Sequence, residues 1–397
     1  MFLMFLYLAV NGLTSLTTWI LVLLPNFLHG QGWSSQKIGW AIGIYFVVNL
    51  GVQVIGGSLA DRIGCIRTAL LGAAIACAGG VLYALAFRIA GLVFAARILH
   101  AAGMALISTG ALFQLIQSVP LRLRGRVMGY FGLPGFIMMG LGPVIAEWLV
   151  YRWGFQAVLL SIPLVFLAIS WFLWRLPRPE ASGTSVGPST FLHGLRESVA
   201  PLKPVLLFSV LFGFSFSAWN SFIAPAVYGK VGAGGVSAFG LGYGIGAILT
   251  RLSFSHRLDH GVRRYASIST LALYGFSLAW IPHAGSSHVL LGLGLACGMA
   301  HGTYYPSLSS IAAERFHPLH AGQGLSLYLS SSSLGMFIGP PIWGALVDCT
   351  GYAPMFLLAG LSMAAGTGVF VVSQYRSRPV PGLTAEGTSG REWSSLR

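Results

Sequence analysis

The sequence predicts an all-α membrane protein with twelve transmembrane helices arranged in two six-helix bundles. Of the 397 residues, 55% are hydrophobic and only 8% are charged, whereas charged residues make up about 25% of an ordinary soluble domain. The apolar residues form continuous runs long enough for helices of about 20 residues, the length needed to cross a bilayer. A transmembrane β-barrel would instead show alternating segments of about 10 residues. Composition and run length therefore exclude a soluble fold and favour helices.

Charged residues, Pro and Gly divide the apolar sequence into twelve candidate helices. A helix satisfies its own backbone hydrogen bonds, which lipid cannot do. The first run starts without a basic segment and without a cleavage site, so we expect it to remain as a membrane helix rather than a removed signal peptide. The predicted spans are Phe5–Leu28, Ile38–Ala60, Thr68–Phe87, Gly91–Ser118, Val127–Tyr151, Ala157–Leu176, Val205–Tyr228, Ser237–Ser255, Tyr265–Pro282, Val289–Ala312, Gly322–Val347 and Pro354–Gln374.

A polar segment separates the sixth predicted helix from the seventh. Residues 177–204 are rich in Ser, Gly and Pro and carry several charged side chains, which is typical of a linker. We therefore expect an N-terminal bundle at 1–176, a cytoplasmic linker at 177–204, a C-terminal bundle at 205–375 and a disordered cytoplasmic tail at 376–397.

The basic residues indicate the orientation of the chain. The net charge is +14, but the Lys and Arg residues lie in short loops rather than on one face of a folded domain, so we expect no nucleic-acid partner. Most of them fall on one side of the predicted membrane, and only Lys37, Arg88, Arg152 and Lys230 fall on the other. Cytoplasmic loops are enriched in basic residues. Both termini are thus predicted to be cytoplasmic, in a bacterial inner membrane.

Small residues repeat between the two halves of the sequence. Each copy holds the same place relative to its predicted helix, and many transporters build a central site between repeated halves that rock against each other. The first copy is Gly125, Gly142-Pro143 and Gly154, and the second is Gly322, Gly339-Pro340 and Gly351.

The segment after the second predicted helix, residues 57–67, reads GSLADRIGCIR. It resembles the G-x-L-A-D-R-x-G-R-K signature of the major facilitator superfamily, although Cys65 and Ile66 stand where basic residues are usual. The resemblance implies the twelve-helix fold of that superfamily and a cytoplasmic gating motif. The residues of this gating motif are Gly57, Asp61, Arg62, Gly64 and Arg67.

A weaker copy of this motif follows the eighth predicted helix, at residues 251–261. It keeps Asp259 and is followed by the basic residue Arg263, so the resemblance extends the gating motif to both halves. The alternative for both copies is that these charges only fix the topology and are solvated.

Two further segments resemble superfamily motifs tied to proton coupling. Residues 97–103, RILHAAG, are similar to the R-x-x-Q/H-G-x-G segment of helix four, and residues 140–148, GLGPVIAEW, are similar to the Gly-Pro antiporter motif of helix five. The Gly-Pro pairs Gly142-Pro143 and Gly339-Pro340 are therefore candidate bends. The candidate proton-coupling residues are Glu147, Arg97, His100 and His301.

Each coupling candidate has a plain alternative. An arginine in a span needs a partner, a carbonyl or a water-filled cavity, but Arg97 could instead extend toward the membrane surface. A carboxyl group in an apolar run can take up and release a proton, but Glu147 could instead pair with Arg152 or Arg97. His100 and His301 could be ordinary hydrogen-bonding residues.

Helices one, four, seven and ten line the substrate cavity in this superfamily, so the resemblance implies polar and aromatic substrate contacts on them. Many such residues could instead form hydrogen bonds between helices. The candidates on these helices, together with Tyr328 of helix eleven, are Asn11, Gln114, Trp219, Asn220, Tyr304, Tyr305 and Tyr328.

The sequence contains no GxxxxGK[ST], HExxH or GxSxG motif, which disfavours an ATP-driven pump and a metal or serine hydrolase. The four cysteines have no metal-ligand spacing. We therefore expect no enzyme activity, no cofactor and no metal, with a proton gradient as the energy source. The predicted function is proton-coupled efflux of a small organic solute by a monomer in a lipid bilayer. Uptake by a symporter or facilitator is the alternative, and a non-transporting receptor or scaffold is a remote one.

Overall fold

In the computed structural model, secondary structure consists of helices throughout the described residues, with no β-strand among them. This agrees with the predicted all-α class. The structure describes residues 2–120, 123, 127, 130–177, 188–232, 234–254, 272–314 and 321–376. Below, "first half" means the described residues up to 177 and "second half" those from 188 onward.

The first half contains seven α-helices and a short 3₁₀ segment, Ile20–Leu23, that joins the first two of them. Ser34 caps the third helix, because its hydroxyl accepts a hydrogen bond from the Lys37 N–H at 3.3 Å. The helices are α1 Phe2–Trp19, α2 Leu24–Gly30, α3 Ser35–Ile63, α4 Cys65–Ala86, α5 Leu92–Gln117, α6 Leu133–Trp153 and α7 Phe155–Trp174.

The second half begins with the longest helix, which starts at Pro188, inside the segment predicted as a linker. Pro is well suited to the first position of a helix, where its missing N–H has no intrahelical partner to lose. The helices are α8 Pro188–Val231, α9 Gly235–Phe254, α10 272–280, α11 Ser287–Glu314, α12 Ala321–Thr350 and α13 Tyr352–Arg376.

Eight helical segments within the described residues are long and apolar enough to cross a membrane. Large apolar side chains such as Leu164 and Phe276 are exposed on the outside of these and neighbouring helices, where lipid would cover them. Helices α10 to α13 also lie where the last four spans are predicted. The eight segments are Leu3–Gly30, Ser35–Ile63, Cys65–Ala86, Leu92–Gln117, Leu133–Trp153, Phe155–Trp174, Lys203–Val231 and Gly235–Ser253.

Two sharp turns occupy matching places in the two halves. Gly154 joins α6 to α7 with φ +79°, and Gly351 joins α12 to α13 with φ +89°. Each donates its N–H to a carbonyl four residues earlier, at 2.9 Å. Residues with a side chain rarely adopt these positive φ values. The predicted repeat therefore appears in the backbone at these two turns.

Small residues allow helices to approach closely within each half. A Cβ on Gly72 of α4 would lie 2.7 Å from Cβ of Leu106 on α5, and a Cβ on Gly242 of α9 would lie 2.8 Å from the backbone nitrogen of Leu295 on α11. Such contacts are the usual basis of helix association in membranes, where lipid tails are as apolar as the side chains they would replace. Helix α3 also packs on α12, and α6 packs on α9, and these two helix pairs form the most extensive contacts between the halves.

Candidate functional site

A cavity of about 410 Å³ lies between the two halves. The first half contributes residues from α1 to α3 and from α5, and the second half contributes residues from α8, α11 and α12. Its volume is suited to one small organic molecule. Most of its surface is apolar. Besides Trp19, Tyr45, Tyr304 and Tyr328, the polar side chains that line it are Thr18, Asn49, Gln53, Arg97, Asn220, His301, Ser332 and Ser333.

Arg97 on α5 lines the cavity and is only 5% exposed. Its Nε donates to the Ala41 carbonyl at 3.2 Å, and Nη2 donates to the Ile42 carbonyl at 3.0 Å. The guanidinium carbon also lies 4.7 Å from the ring centroid of Tyr45, within range of a cation–π contact. These contacts with α3 hold the positive charge inside the protein rather than at its surface.

An aromatic cluster, defined as Phe212, Phe216 and Tyr304, lines the same cavity from the second half. Phe212 of α8 and Tyr304 of α11 are stacked with ring centroids 4.0 Å apart. His301 borders this cluster, and its Nδ1 forms a hydrogen bond of 2.7 Å with the Tyr243 hydroxyl. Among the described lining residues, the second half thus presents rings without a Lys or Arg, while the first half presents Arg97 together with the rings of Trp19, Tyr45 and Phe46.

The two histidines predicted as proton-coupling candidates have different surroundings. His301 lines the cavity. His100 is fully buried inside the first half, where its Nε2 lies 3.2 Å from the Thr17 hydroxyl. The rings of Tyr45 and Phe166 are each 5.4 Å from the His100 ring. Among the two, His301 is therefore the one that a bound molecule could contact in this arrangement.

The other predicted cavity residues divide into two groups. The first group lines the cavity and consists of Asn220, Tyr304 and Tyr328. That these residues contact the substrate stays a prediction. Three others are not among its lining residues: the Asn11 amide donates to the Phe131 carbonyl, Gln114 is buried, and the Trp219 Nε1 donates to the Tyr274 hydroxyl at 3.1 Å. The prediction for Tyr305 concerns a side chain that lies outside the described residues.

Helix α3 contributes lining residues that the sequence reasoning did not include. The superfamily pattern pointed to predicted helices one, four, seven and ten. Helices α3 and α12, which correspond to predicted helices two and eleven, also line the cavity. The signal in the sequence is the spacing of side chains three or four residues apart, which places them on one helix face. These α3 residues are Ile42, Tyr45, Phe46, Asn49 and Gln53.

Glu147 of α6 contacts the first turn of α9 in the other half. One carboxylate oxygen accepts hydrogen bonds from the Ser237 hydroxyl and, at 3.3 Å, from the Ser237 N–H. The other oxygen is buried without a hydrogen-bond partner among the described residues. A carboxylate at a helix N-terminus is attracted by the helix dipole. The described hydrogen-bond partner of Glu147 is thus Ser237, and not Arg152 or Arg97.

Asp348 of α12 makes the corresponding contact with α3. Its two carboxylate oxygens accept the backbone N–H groups of Ser35 and Gln36, each at 2.9 Å. These N–H groups belong to the first turn of α3 and have no partner within their own helix. Each half therefore places a carboxylate on the N-terminus of a helix in the other half. The sequence reasoning did not single out Asp348, because an acidic residue near a helix end has many possible partners.

The Gly-Pro pairs lie inside continuous helices at points of close approach. Pro143 is within α6 and Pro340 is within α12. A Cβ on Gly142 would overlap Trp19 of α1, and one on Gly339 would overlap the hydroxyl of Ser217 on α8. These glycines are therefore needed for helix contact, and their role as bends stays a prediction.

The predicted cytoplasmic gating motif lies at the turn between α3 and α4. Gly57, Asp61 and Arg62 are in α3, and Gly64 makes the turn with φ +91°. Arg67, like Arg62, is exposed. Asp259 and Arg263 lie outside the described residues. Within those residues, no group of three or more His, Cys, Asp or Glu side chains is placed to hold a metal ion.

Comparison with known proteins agrees with this architecture. The chain matches the family described as Major Facilitator Superfamily over residues 2–340 and again over 236–397. It is 28% identical over 382 residues to an uncharacterized MFS-type transporter of Burkholderia mallei (strain SAVP1), covering 92% of this chain and 90% of the relative.

Two other similarities are limited, the first in the share of the chain that is covered and the second in sequence identity. Multidrug resistance protein MdtH of Blochmanniella floridana is 28% identical over 193 residues, or 48% of this chain and 46% of the relative. Among solved structures, the nucleoside transporter NupG superposes with a TM-score of 0.77 at 15% identity, covering 92% of this chain and 99% of that one. At that identity the superposition establishes a shared fold.

Proposed function

Because the chain belongs to the major facilitator superfamily, we propose that it exports a small organic solute by alternating access, driven by a proton gradient. The observation that supports this most directly is the 410 Å³ cavity, since residues of both halves line it. A solute held between two halves can be exposed to either side when the halves rock. The chain is thus a transporter, and the finer proposal concerns direction and coupling.

Proton coupling is assigned to Glu147. Its carboxylate bridges α6 and α9, which belong to different halves. Protonation would remove the negative charge that attracts the Ser237 N–H and hydroxyl, and would weaken that contact. A ligand or proton that favours one of two conformations shifts the population toward it. Proton binding would therefore favour separation of the halves at this interface.

Efflux is the proposed direction. The partial similarity to a multidrug resistance protein supports it, as does the resemblance of the Gly142-Pro143 segment to the antiporter motif. In antiport, protons that enter the cell drive the solute out. The same helices would serve an uptake symporter, so the direction must be measured.

The proposed topology has twelve spans with both termini in the cytoplasm of a bacterium. Residues 1–176 and 205–375 form the two bundles, 177–204 link them in the cytoplasm, and the protein acts as a monomer. Cysteines introduced at Tyr151, which is 84% exposed, and at Arg62, each in a chain without the four native cysteines, test the orientation. A membrane-impermeant maleimide should label Tyr151→Cys in whole cells and Arg62→Cys only after lysis.

Everted membrane vesicles with an acidic interior test the function itself. In antiport, adding a transported solute outside the vesicles releases protons, and a fluorescent pH-gradient dye regains its emission. A symporter would not respond, because its solute and protons leave the vesicle together. A panel of metabolites and drugs is screened in vesicles with the protein and in matched vesicles without it.

Glu147→Gln should abolish the proton release, while Glu147→Asp should retain part of it. Solute-dependent proton release by Glu147→Gln at the unmodified rate would remove Glu147 from the mechanism. Proton-driven accumulation of the solute in whole cells would replace efflux with uptake.

A further inference from the structure

We infer that the cavity selects an organic anion with a flat apolar body, with its charged group at Arg97 and its ring against the aromatic cluster. This inference rests on the proposed function, because it names the class of solute that the same cavity would carry. It depends on the charges and rings that line the two sides of the cavity.

The charge argument starts from what surrounds Arg97. No Asp or Glu is among the cavity-lining residues that the structure describes. The described hydrogen bonds of Arg97 go to the neutral carbonyls of Ala41 and Ile42. A guanidinium group buried within a membrane protein is costly when no anion neutralises it. A carboxylate, sulfonate or phosphate on the solute would supply that anion and could bind the planar guanidinium group in a bidentate manner.

The lining residues of the second half indicate the chemistry of the rest of the solute. Phe212 and Tyr304 form a stacked pair, and Phe216 extends the same surface. Rings of this kind pack well against another flat ring, through buried area and offset or edge-on contacts. The described lining of this half also contains the polar groups of Asn220, His301, Tyr328, Ser332 and Ser333, but no acidic group. An apolar, planar body is therefore the part that fits here.

An aromatic cluster by itself would also suit a cation, because the ring faces carry negative potential. Arg97 opposes this, since like charges repel strongly in a cavity with apolar walls. The same aromatic body carrying an ammonium group should therefore bind poorly. The combination of one buried cation and a ring surface distinguishes anions from both neutral and cationic analogues.

The placement of these groups also connects binding to transport. Arg97 and Tyr45 belong to the first half, whereas Phe212, Phe216 and Tyr304 belong to the second. A solute that touches both sets stabilises the arrangement in which they face each other across one cavity. Differential stabilisation of one arrangement is what a solute must provide to change the population of conformations.

The test uses three sets of probes. Within each set the ring is the same, and the group that ends the side chain is anionic, neutral or cationic. Each set holds an acetate, its acetamide and the corresponding ethylamine, built on an indole, a phenyl or a naphthyl ring. Binding to the purified full chain in lipid nanodiscs is measured by equilibrium dialysis. In at least one set the acetate should bind about tenfold or more tightly than the acetamide and the amine, because hydrogen bonds between charged groups are stronger than neutral ones.

Variants then assign the preference to Arg97. Arg97→Gln should abolish the difference between acetate and acetamide, and Arg97→Lys should retain part of it. Arg88→Gln is the control, because Arg88 is exposed and lies outside the cavity lining. The probe comparison on the unmodified chain stands even where Arg97→Gln does not fold.

Equal binding of acetate and acetamide in all three sets, or tighter binding of the amine, would overturn the inference. No binding of any acetate would overturn it as well. Anion-selective binding without transport in proteoliposomes would support the inference while contradicting the proposed function. Transport of a cationic drug with no binding of the acetates would contradict the inference while supporting the proposed function.

Discussion

The two most extensive interfaces between the halves, α6–α9 and α3–α12, use the same kind of contact in different surroundings. At both, a carboxylate on a helix of one half accepts hydrogen bonds from the first turn of a helix in the other half. Glu147 at the α6–α9 interface is half-buried and accepts one N–H and one hydroxyl, both from Ser237. Asp348 at the α3–α12 interface is exposed and accepts two N–H groups.

This difference separates a contact suited to switching from one suited to stabilising. Both carboxylate oxygens of Asp348 are satisfied, and water can reach the group. One oxygen of Glu147 is buried without a described partner, so a change in its protonation alters a less solvated contact. Electrostatic effects are larger where water is excluded. We therefore expect the α6–α9 interface to respond to pH and the α3–α12 interface to respond mainly to packing.

The largest expected effect comes from packing at α3–α12. A Cβ on Gly39 would overlap the backbone of Pro340 and lie 2.7 Å from Cα of Pro341. Gly39→Ala should therefore destabilise this interface by about 1–3 kcal/mol, the usual cost of overpacking. Spin labels at Tyr151 and Tyr228, in a chain without native cysteines, should report a longer separation between the halves.

Gly51→Ala is the matched control for Gly39→Ala. Gly51 is on the same helix, is exposed, and has nothing within 4 Å of an added Cβ. Its label separation should equal that of the parent chain. An unchanged separation in Gly39→Ala would mean that this contact does not hold the halves together.

The second effect is the loss of a pH response. In the parent chain, the separation between the labels at Tyr151 and Tyr228 should increase as pH falls, because protonated Glu147 attracts the Ser237 donors less. Glu147→Gln imitates the neutral form, so it should give the low-pH separation at every pH. A pH response of the parent's size in Glu147→Gln would assign the switch to another group.

A smaller effect is expected at Asp348. Asp348→Asn keeps an acceptor oxygen but removes the charge, so it should weaken the contact with the N-terminus of α3 by about 0.3–1 kcal/mol. The population of separated halves should rise by a few-fold, and the difference from the parent should shrink in high salt because the group is exposed. If the label separation of the parent chain changed with pH and this change disappeared in Asp348→Asn, the roles assigned to the two interfaces would be reversed.

The smallest difference between the halves is expected at the two matched turns. Gly154→Ala and Gly351→Ala each place a Cβ at a positive φ that residues with a side chain rarely adopt, at a cost of about 1–3 kcal/mol. Because the two turns share a positive φ and the same backbone hydrogen bond, thermal unfolding in detergent should show similar losses of stability for both. A loss confined to one variant would show that the two halves do not use these turns in the same way.

Several features of the fold were predictable from local sequence. Run length and composition predicted helices that could cross a membrane, since lipid leaves few alternatives for backbone hydrogen bonds. The superfamily was identified from the segment at 57–67, and this prediction is confirmed. The number of spans and their orientation stay predictions.

The site was less predictable. Arg97 stood out because a cation in an apolar run needs an explanation, and Asn220, Tyr304 and Tyr328 were chosen as polar or aromatic residues within spans. Asn11 was chosen in the same way, but its amide is occupied by the Phe131 carbonyl. Residue type and helix number do not show which face of a helix meets a cavity, and that face depends on packing against the neighbouring helices.

The sequence by itself determined the helices, the turn glycines at 154 and 351, and the presence of ionisable groups within apolar runs, because these follow from local composition and backbone conformation. The tertiary structure decided which groups meet. Glu147 contacts Ser237 instead of Arg152 or Arg97, Asp348 contacts Ser35, and Arg97 lines the same cavity as an aromatic cluster more than a hundred residues away in the chain. Such pairings depend on how helices from the two halves pack, and no short stretch of sequence contains that information.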